Sequence, residues 1–357
     1  MNNAQGKHYG KSLLFIAATF LVLCVWLLRE YSLPKLWELI LGVRPGWILA
    51  AVGLMVLYWL LEAGGLHLAV RRFAPDQQPG TTFCATMIGQ FFNCITPFSS
   101  GGAQPMQAFY LMKRGMALSF ASCSLMIKFI VYQFVLTIYS AITLFLCFKT
   151  FTSEISAVGW LAFVGFGVNI LVITALLCLG FFRGPAEKFL YGIVSLLKKL
   201  RIIGQEKAER ANARIAKELE EFYEGFAQIR GDIGGILKIS LLTAVQLTAF
   251  FLIPLCIFYA FGLGRVDILL MICAGAFVLN FTSFIPLPGA AAGAEIGFHT
   301  VFGLFFPTRF LSLAILLWRL LTFYLPILVG GIFTATAGVW QKAKPGRSGK
   351  SKQISAS

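Results

Sequence analysis

Charge is scarce in this chain. Asp, Glu, Lys and Arg make up 13% of its 357 residues, hydrophobic residues make up 58%, and the mean hydropathy is +0.80. Soluble domains carry roughly 25% charged residues, so an ordinary soluble fold is excluded and a multi-span membrane protein remains. Acidic residues are the scarcer sign, 15 against 30 Lys and Arg, for a net charge of +15. In a soluble protein that balance would suggest nucleic acid. Here the cations sit in loops and tails, where they set orientation and meet anionic lipid heads, so no nucleic-acid partner is expected.

Metal ligands and catalytic motifs are equally sparse. Histidine occurs only as His8, His67 and His299, too few for a two- or three-His metal centre. The eight cysteines, Cys24, Cys84, Cys94, Cys123, Cys147, Cys178, Cys256 and Cys273, lie in or beside apolar segments with no pair at metal-ligand or redox spacing. They read as small buried hydrophobes. The chain has no GxSxG elbow, no HExxH and no Walker-type glycine loop. No catalytic residue, metal or cofactor is therefore expected.

Long apolar runs are what the chain has. A window of about 19 residues picks out six spans, near 12–28, 47–69, 119–147, 157–182, 235–262 and 311–339. Segments 81–112 and 266–306 are also apolar, but Pro and Gly cut them into pieces shorter than the roughly 20 residues a crossing needs, and they read as re-entrant hairpins. The expected fold is an all-α polytopic membrane protein with an inverted-repeat, transporter-like plan. Lys7 and Lys11 precede the first run as in a signal peptide, yet Arg29-Glu30-Tyr31 follows where a cleavage site would stand, so the run reads as a retained span.

The positive-inside rule tests the count. With the N-terminus inside, the inner loops hold Arg71-Arg72, Lys113-Arg114, the 183–233 stretch and the C-terminal Lys342, Lys344, Arg347, Lys350 and Lys352; the outer loops hold the thinner set Arg29, Lys35, Arg44, Lys149, Arg265 and Arg309. Both termini are then cytoplasmic, and the hairpins enter from opposite faces. Residues 1–340 form the membrane domain, and 341–357 a basic disordered tail. Within 183–233, Ala208, Ile215, Leu219, Phe222, Phe226 and Ile229 form the seam of an amphipathic helix, lying on the membrane surface or against the bundle.

The two hairpins are broken alike. The first break carries Asn93, Thr96, Pro97, Ser99, Ser100, Gly101, Gly102 and Gln104; the second carries Asn280, Pro286, Pro288, Gly289, Gly293 and Glu295, with His299 four residues beyond Glu295. Freed N–H and C=O groups are tolerated in a bilayer only where protein or a wet cavity satisfies them, and paired breaks in two halves point to a midplane binding site. A Gly-rich turn followed by a helix start near Gln104 suits an anion such as phosphate. A lone cation follows each break: Lys128 is 31 residues past Pro97 (128−97), and Arg319 is 33 past Pro286 (319−286). Each costs roughly 2.5–3.5 kcal/mol at mid-bilayer, and a shared anion-accepting cavity would explain both. Glu62 is a candidate to neutralise one of them, and Glu295 to pair with Arg319, cap its own helix or relay a proton.

At these residues the chain resembles the flippase-like family, which includes the N-terminal membrane half of the bacterial multiple peptide resistance factor, the lysylphosphatidylglycerol synthase transmembrane region. The resemblance spans about residues 10–340. It is carried by Asn93…Pro97…Gly101-Gly102, by Pro286-Leu-Pro-Gly289…Gly293…Glu295, and by Trp318-Arg319-Leu-Leu-Thr322-Phe-Tyr324…Gly330, which adds Tyr324 to the candidate head-group residues. Gln104-Pro105-Met106-Gln107 stands where an Arg would be looked for, and Gly289-Ala-Ala-Ala-Gly293 is less Gly-rich than the pattern. The resemblance implies translocation of an anionic or aminoacylated phospholipid, phosphatidylglycerol or its lysyl ester. In full-length resistance factors a soluble domain transfers lysine from lysyl-tRNA; this chain ends at Ser357, so such a transferase would be a separate partner. The alternatives are phosphatidylglycerol lysyltransferase activity and an accessory scaffold for envelope lipid synthesis.

Overall fold

A computed structural model describes residues 41–96, 103–154, 156–199, 205–282, 285, 287, 290 and 292–337. Among these there is no strand. Helix α1 (Pro45–Val70) is followed by a helical hairpin, α2 (Pro79–Ile95) and α3 (Gln104–Lys113), and by the long α4 (Leu118–Glu154). Helix α5 (Ser156–Phe181) leads to α6 (Arg183–Lys199) and α7 (Gln205–Arg230). The order of the first half then returns: a long span split into α8 (Ile233–Phe251) and α9 (Ile253–Ala260), a hairpin of α10 (Ile268–Thr282) and α11 (Gly293–Phe302), and a second long span. That last span is α12 (Thr308–Arg319), a π-helical turn (Leu320–Tyr324) and α13 (Leu325–Thr336).

Segments 45–70, 118–146, 233–260 and 308–336 are long and apolar enough to cross a bilayer, and 165–178 and 268–280 are shorter apolar helices. These match five of the expected spans and the first arm of the second hairpin. The expected span 12–28 and the tail 341–357 lie outside the described residues.

Proline places most of the breaks. Pro45, Pro79, Pro105, Pro254 and Pro326 each stand in a first helical turn, where a missing N–H costs nothing. Where a helix runs directly into the proline, at Pro254 and Pro326, it loses a donor. In the last span Pro326 denies the Thr322 carbonyl its α-helical partner, and the ladder widens: the Leu325 N–H bonds the Leu320 carbonyl five residues back. Helix α2 ends at Thr96, whose extended backbone suits the residue before a proline and whose hydroxyl donates to the Phe92 carbonyl at 2.6 Å.

The halves interlock. Helix α1 packs on α8 through small residues, with Gly64 against Leu242 and Gly65 against Ile239. Hairpin helix α2 packs on α13, where Gly330 lies so close that a Cβ would sit 2.5 Å from the Met87 carbonyl oxygen. Small residues give such approach in membranes, where lipid competes with any apolar side chain.

Helix α1 also serves as a ruler for orientation. At its N-terminal end the Arg44 N–H bonds the Ala260 carbonyl, and Phe261 stacks on Phe310, so the second hairpin opens there. At its C-terminal end Phe73 stacks on Phe120, and both meet α7 at Gly225, so the first hairpin opens there. The two hairpins enter from opposite faces, as the charge pattern requires. Helix α7 lies against the bundle with Leu219 and Phe226 buried and Phe222 packed beside Cys123 and Ile127, while Ser119 donates to Glu221 at 2.7 Å and Arg72 pairs with Asp232.

Candidate functional site

A cavity of about 210 Å³ lies where the two halves meet. The first half lines it with Met55, Tyr58 and Glu62 of α1, Gln90, Asn93 and Cys94 of α2, Gln104 and Gln107 of α3, and Lys128 and Tyr132 of α4. The second half contributes Pro254 at the α8/α9 break, Gly275 and Thr282 of α10, Ala290 and Ala294 of the second hairpin, and Trp318, Arg319 and Thr322 around the π-helical turn. The α8/α9 break, the second hairpin and the π-helical turn thus all contribute residues to one space.

Both lone cations reach it. Lys128 lies ten residues into α4 (128−118) and Arg319 eleven into α12 (319−308), each entering from an opposite face. At 1.5 Å per residue both sit about 15–17 Å deep, near the middle of a hydrocarbon core of roughly 30 Å.

Each cation is held by a carboxylate of its own half. Lys128 Nζ donates to Glu62 Oε1 at 2.6 Å, and Gln90 Nε2 donates to Glu62 Oε2 at 2.5 Å. Tyr58 and Tyr132 also stand within electrostatic reach of Glu62. Arg319 Nε donates to Glu295 Oε1 at 2.7 Å, and its guanidinium lies 5.5 Å from the Trp318 ring centre and 5.0 Å from that of Phe323. Glu295 is in the first turn of α11, where the helix N-terminus favours its charge. The paired Lys128 and Glu62 side chains are 12% and 11% exposed; Arg319 and Glu295 are 5% and 20%. Snorkelling is therefore not how these charges are accommodated.

Asn93 Oδ1 and Glu295 Oε2 are among the polar atoms at the site that are buried without a hydrogen-bond partner among the described residues. Backbone is strained beside them. Ala290 and Ala292 have φ of +51° and +65°, a region that costs a β-carbon residue free energy and persists where surroundings over-determine it.

Of the other sequence candidates, Asn93, Gln104 and Lys128 line the cavity, and Glu295 stands behind Arg319. Gly293 begins α11, tight against Ile285, and Tyr324 packs edge-on to Phe323, neither bordering the cavity. Asn280 is also elsewhere. It joins a buried interhelical network with Asn169 and Ser140, extended by Gln133 donating to Asn169 at 3.4 Å. Pro97, Ser99, Ser100, Gly101, Gly102, Pro286, Pro288 and Gly289 lie outside the described residues. The sequence reading missed Gln90, Gln107, Tyr58 and Tyr132. Gln90 and Asn93, or Gln104 and Gln107, are three apart in otherwise apolar helices, and that shared face was the available signal.

The family model for the lysylphosphatidylglycerol synthase TM region matches residues 12–330. A UPF0104 membrane protein of Archaeoglobus fulgidus is 28% identical over 300 residues, covering 81% of this chain and 86% of that protein. No solved structure matches this chain. The match takes in both broken hairpins, both ion pairs and the π-helical turn: the chain is a membrane protein that belongs to the lysylphosphatidylglycerol synthase TM region family.

Proposed function

We propose that the chain binds the head group of an anionic or aminoacylated phospholipid, phosphatidylglycerol or its lysyl ester, in this cavity and carries it between leaflets. One observation supports this above others: a single midplane cavity receives one buried cation from each half. Arg offers phosphate a two-pronged donor and Lys a point charge, while broken helices around the cavity supply backbone dipoles. The aromatic faces of Trp318 and Phe323 hold the guanidinium in the lining without hiding it from a ligand.

The test is reconstitution into vesicles with leaflet-labelled phosphatidylglycerol, lysyl-phosphatidylglycerol and a polyprenyl-linked lipid side by side. Accelerated exchange of one or both phosphatidylglycerol lipids is expected. Exchange no faster than in protein-free vesicles for all three would refute the reading. A parallel arm with lysyl-tRNA tests the synthase chemistry in the family's name; new lysyl-phosphatidylglycerol there would make the chain an enzyme. A scaffold role would need a docking surface, and in α7 the apolar seam faces the bundle, which leaves the charged face for any partner.

A further inference from the structure

The cavity is already neutral before a lipid arrives: Lys128 is matched by Glu62 and Arg319 by Glu295. An anionic phosphate therefore leaves the cavity with one negative charge in excess whichever cation it takes, and an uncompensated charge in a low-dielectric interior is expensive. Charge must be returned from elsewhere. A head group with its own ammonium brings that charge; phosphatidylglycerol does not.

The two carboxylates differ in their capacity to take a proton. Both Glu62 oxygens accept from donors, Lys128 on one and the Gln90 amide on the other, so a proton added to either oxygen would weaken a hydrogen bond already made. Glu295 accepts from Arg319 on Oε1 alone, and Oε2 is buried with no partner among the described residues. A proton on Oε2 breaks nothing, neutralises the carboxyl and weakens its hold on Arg319.

We propose, building on the translocation reading, that phosphatidylglycerol enters this site together with one proton, which Glu295 takes up as Arg319 passes from the carboxylate to the phosphate. The proton comes from the aqueous phase and becomes the Oε2–H of Glu295, and the Arg319–Glu295 ion pair is replaced by Arg319–phosphate. The phosphate adds −1 and the proton +1, so the cavity stays neutral. Arg319 on α12 pairs with Glu295 and His299 lies one turn on in α11; Cys273 of α10 shares an apolar cluster with Ala294 of α11, Cys94 of α2 is in electrostatic contact with Arg319, and Lys128 and Glu62 line the cavity. Lys128 is retained by a carboxylate both of whose oxygens already accept hydrogen bonds, which leaves Arg319 as the exchanging cation.

The experiment is calorimetric titration of the full chain in detergent with short-chain phosphatidylglycerol, in buffers of differing ionisation enthalpy. The slope should give about one proton taken up per lipid bound, and linkage of one proton to binding then lowers affinity by up to about tenfold for each unit rise in pH. A zwitterionic short-chain phosphatidylethanolamine should bind with no net uptake. Glu295→Gln should bind phosphatidylglycerol with the uptake and the pH dependence both lost. Wild-type binding without proton uptake overturns the proposal and leaves translocation standing, and a Glu295→Gln variant that keeps the uptake overturns it too. No binding of either lipid removes the translocation reading and this proposal with it.

Discussion

The halves repeat a helix order but not a chemistry. In the first, the carboxylate comes from α1, ahead of the hairpin, and Glu62 has both oxygens filled by Lys128 and Gln90. In the second, it comes from inside the hairpin, and Glu295 holds Arg319 through one oxygen while the other is buried without a partner among the described residues. The first pair is a strut between two spans. The second has acceptor capacity to spare and sits beside two strained alanines and a π-helical turn. Matching cations at matching depth thus do different work, because the partners that set their freedom come from different elements.

The comparison is broken most directly by removing each carboxylate. Glu62→Ala strands both a buried ammonium and the Gln90 amide, and should cost about 3–5 kcal/mol, the range for breaking a buried pair. Glu295→Ala strands only Arg319, which keeps its aromatic neighbours, so its loss should be smaller. Thermal unfolding in detergent ranks them, and equal losses would erase the distinction. Next comes the seam between halves: Gly330→Leu drives a side chain onto the Met87 carbonyl, and overpacking of that kind costs about 1–3 kcal/mol. At Gly331 an added Cβ meets Phe91 at 3.4 Å, an ordinary contact, so Gly331→Ala should be tolerated in the same assay.

Smaller effects sharpen the site's edge. Asn280→Ala should lose about 0.6–1.7 kcal/mol, typical of an interhelical hydrogen bond in a membrane, and should weaken lipid binding less than Asn93→Ala, since only Asn93 lines the cavity. The reverse order of binding losses would return Asn280 to the site. Smallest is Ala292→Gly, which removes a β-carbon from a positive-φ position and should raise stability by about 1 kcal/mol; an unchanged or lower melting temperature would show that no strain is stored there.

The spans, the paired breaks and the convergence of Lys128 and Arg319 were legible because hydropathy and a lone charge in an apolar run need no tertiary information. The amphipathic seam of α7 was legible for the same reason. Asn280 was read as a cavity residue because one polar residue near a break satisfies a cavity or a helix–helix contact equally well; its partners Asn169 and Ser140 are 111 and 140 residues away in sequence. Gln90 escaped notice because its role depends on meeting Glu62 across helices. Glu62 and Glu295 were named as possible counter-charges, but how many acceptors each keeps free is a property of packing alone.

The central claim is that both cations serve one lipid site. Its most direct test is leaflet exchange of phosphatidylglycerol in vesicles containing wild type, Lys128→Met, Arg319→Met or both substitutions. One shared site predicts that each single variant exchanges slowly and that the double variant is no slower than the worse single. Losses that multiply in the double variant, as for independent sites, or wild-type exchange by either single variant at normal vesicle content, would contradict it.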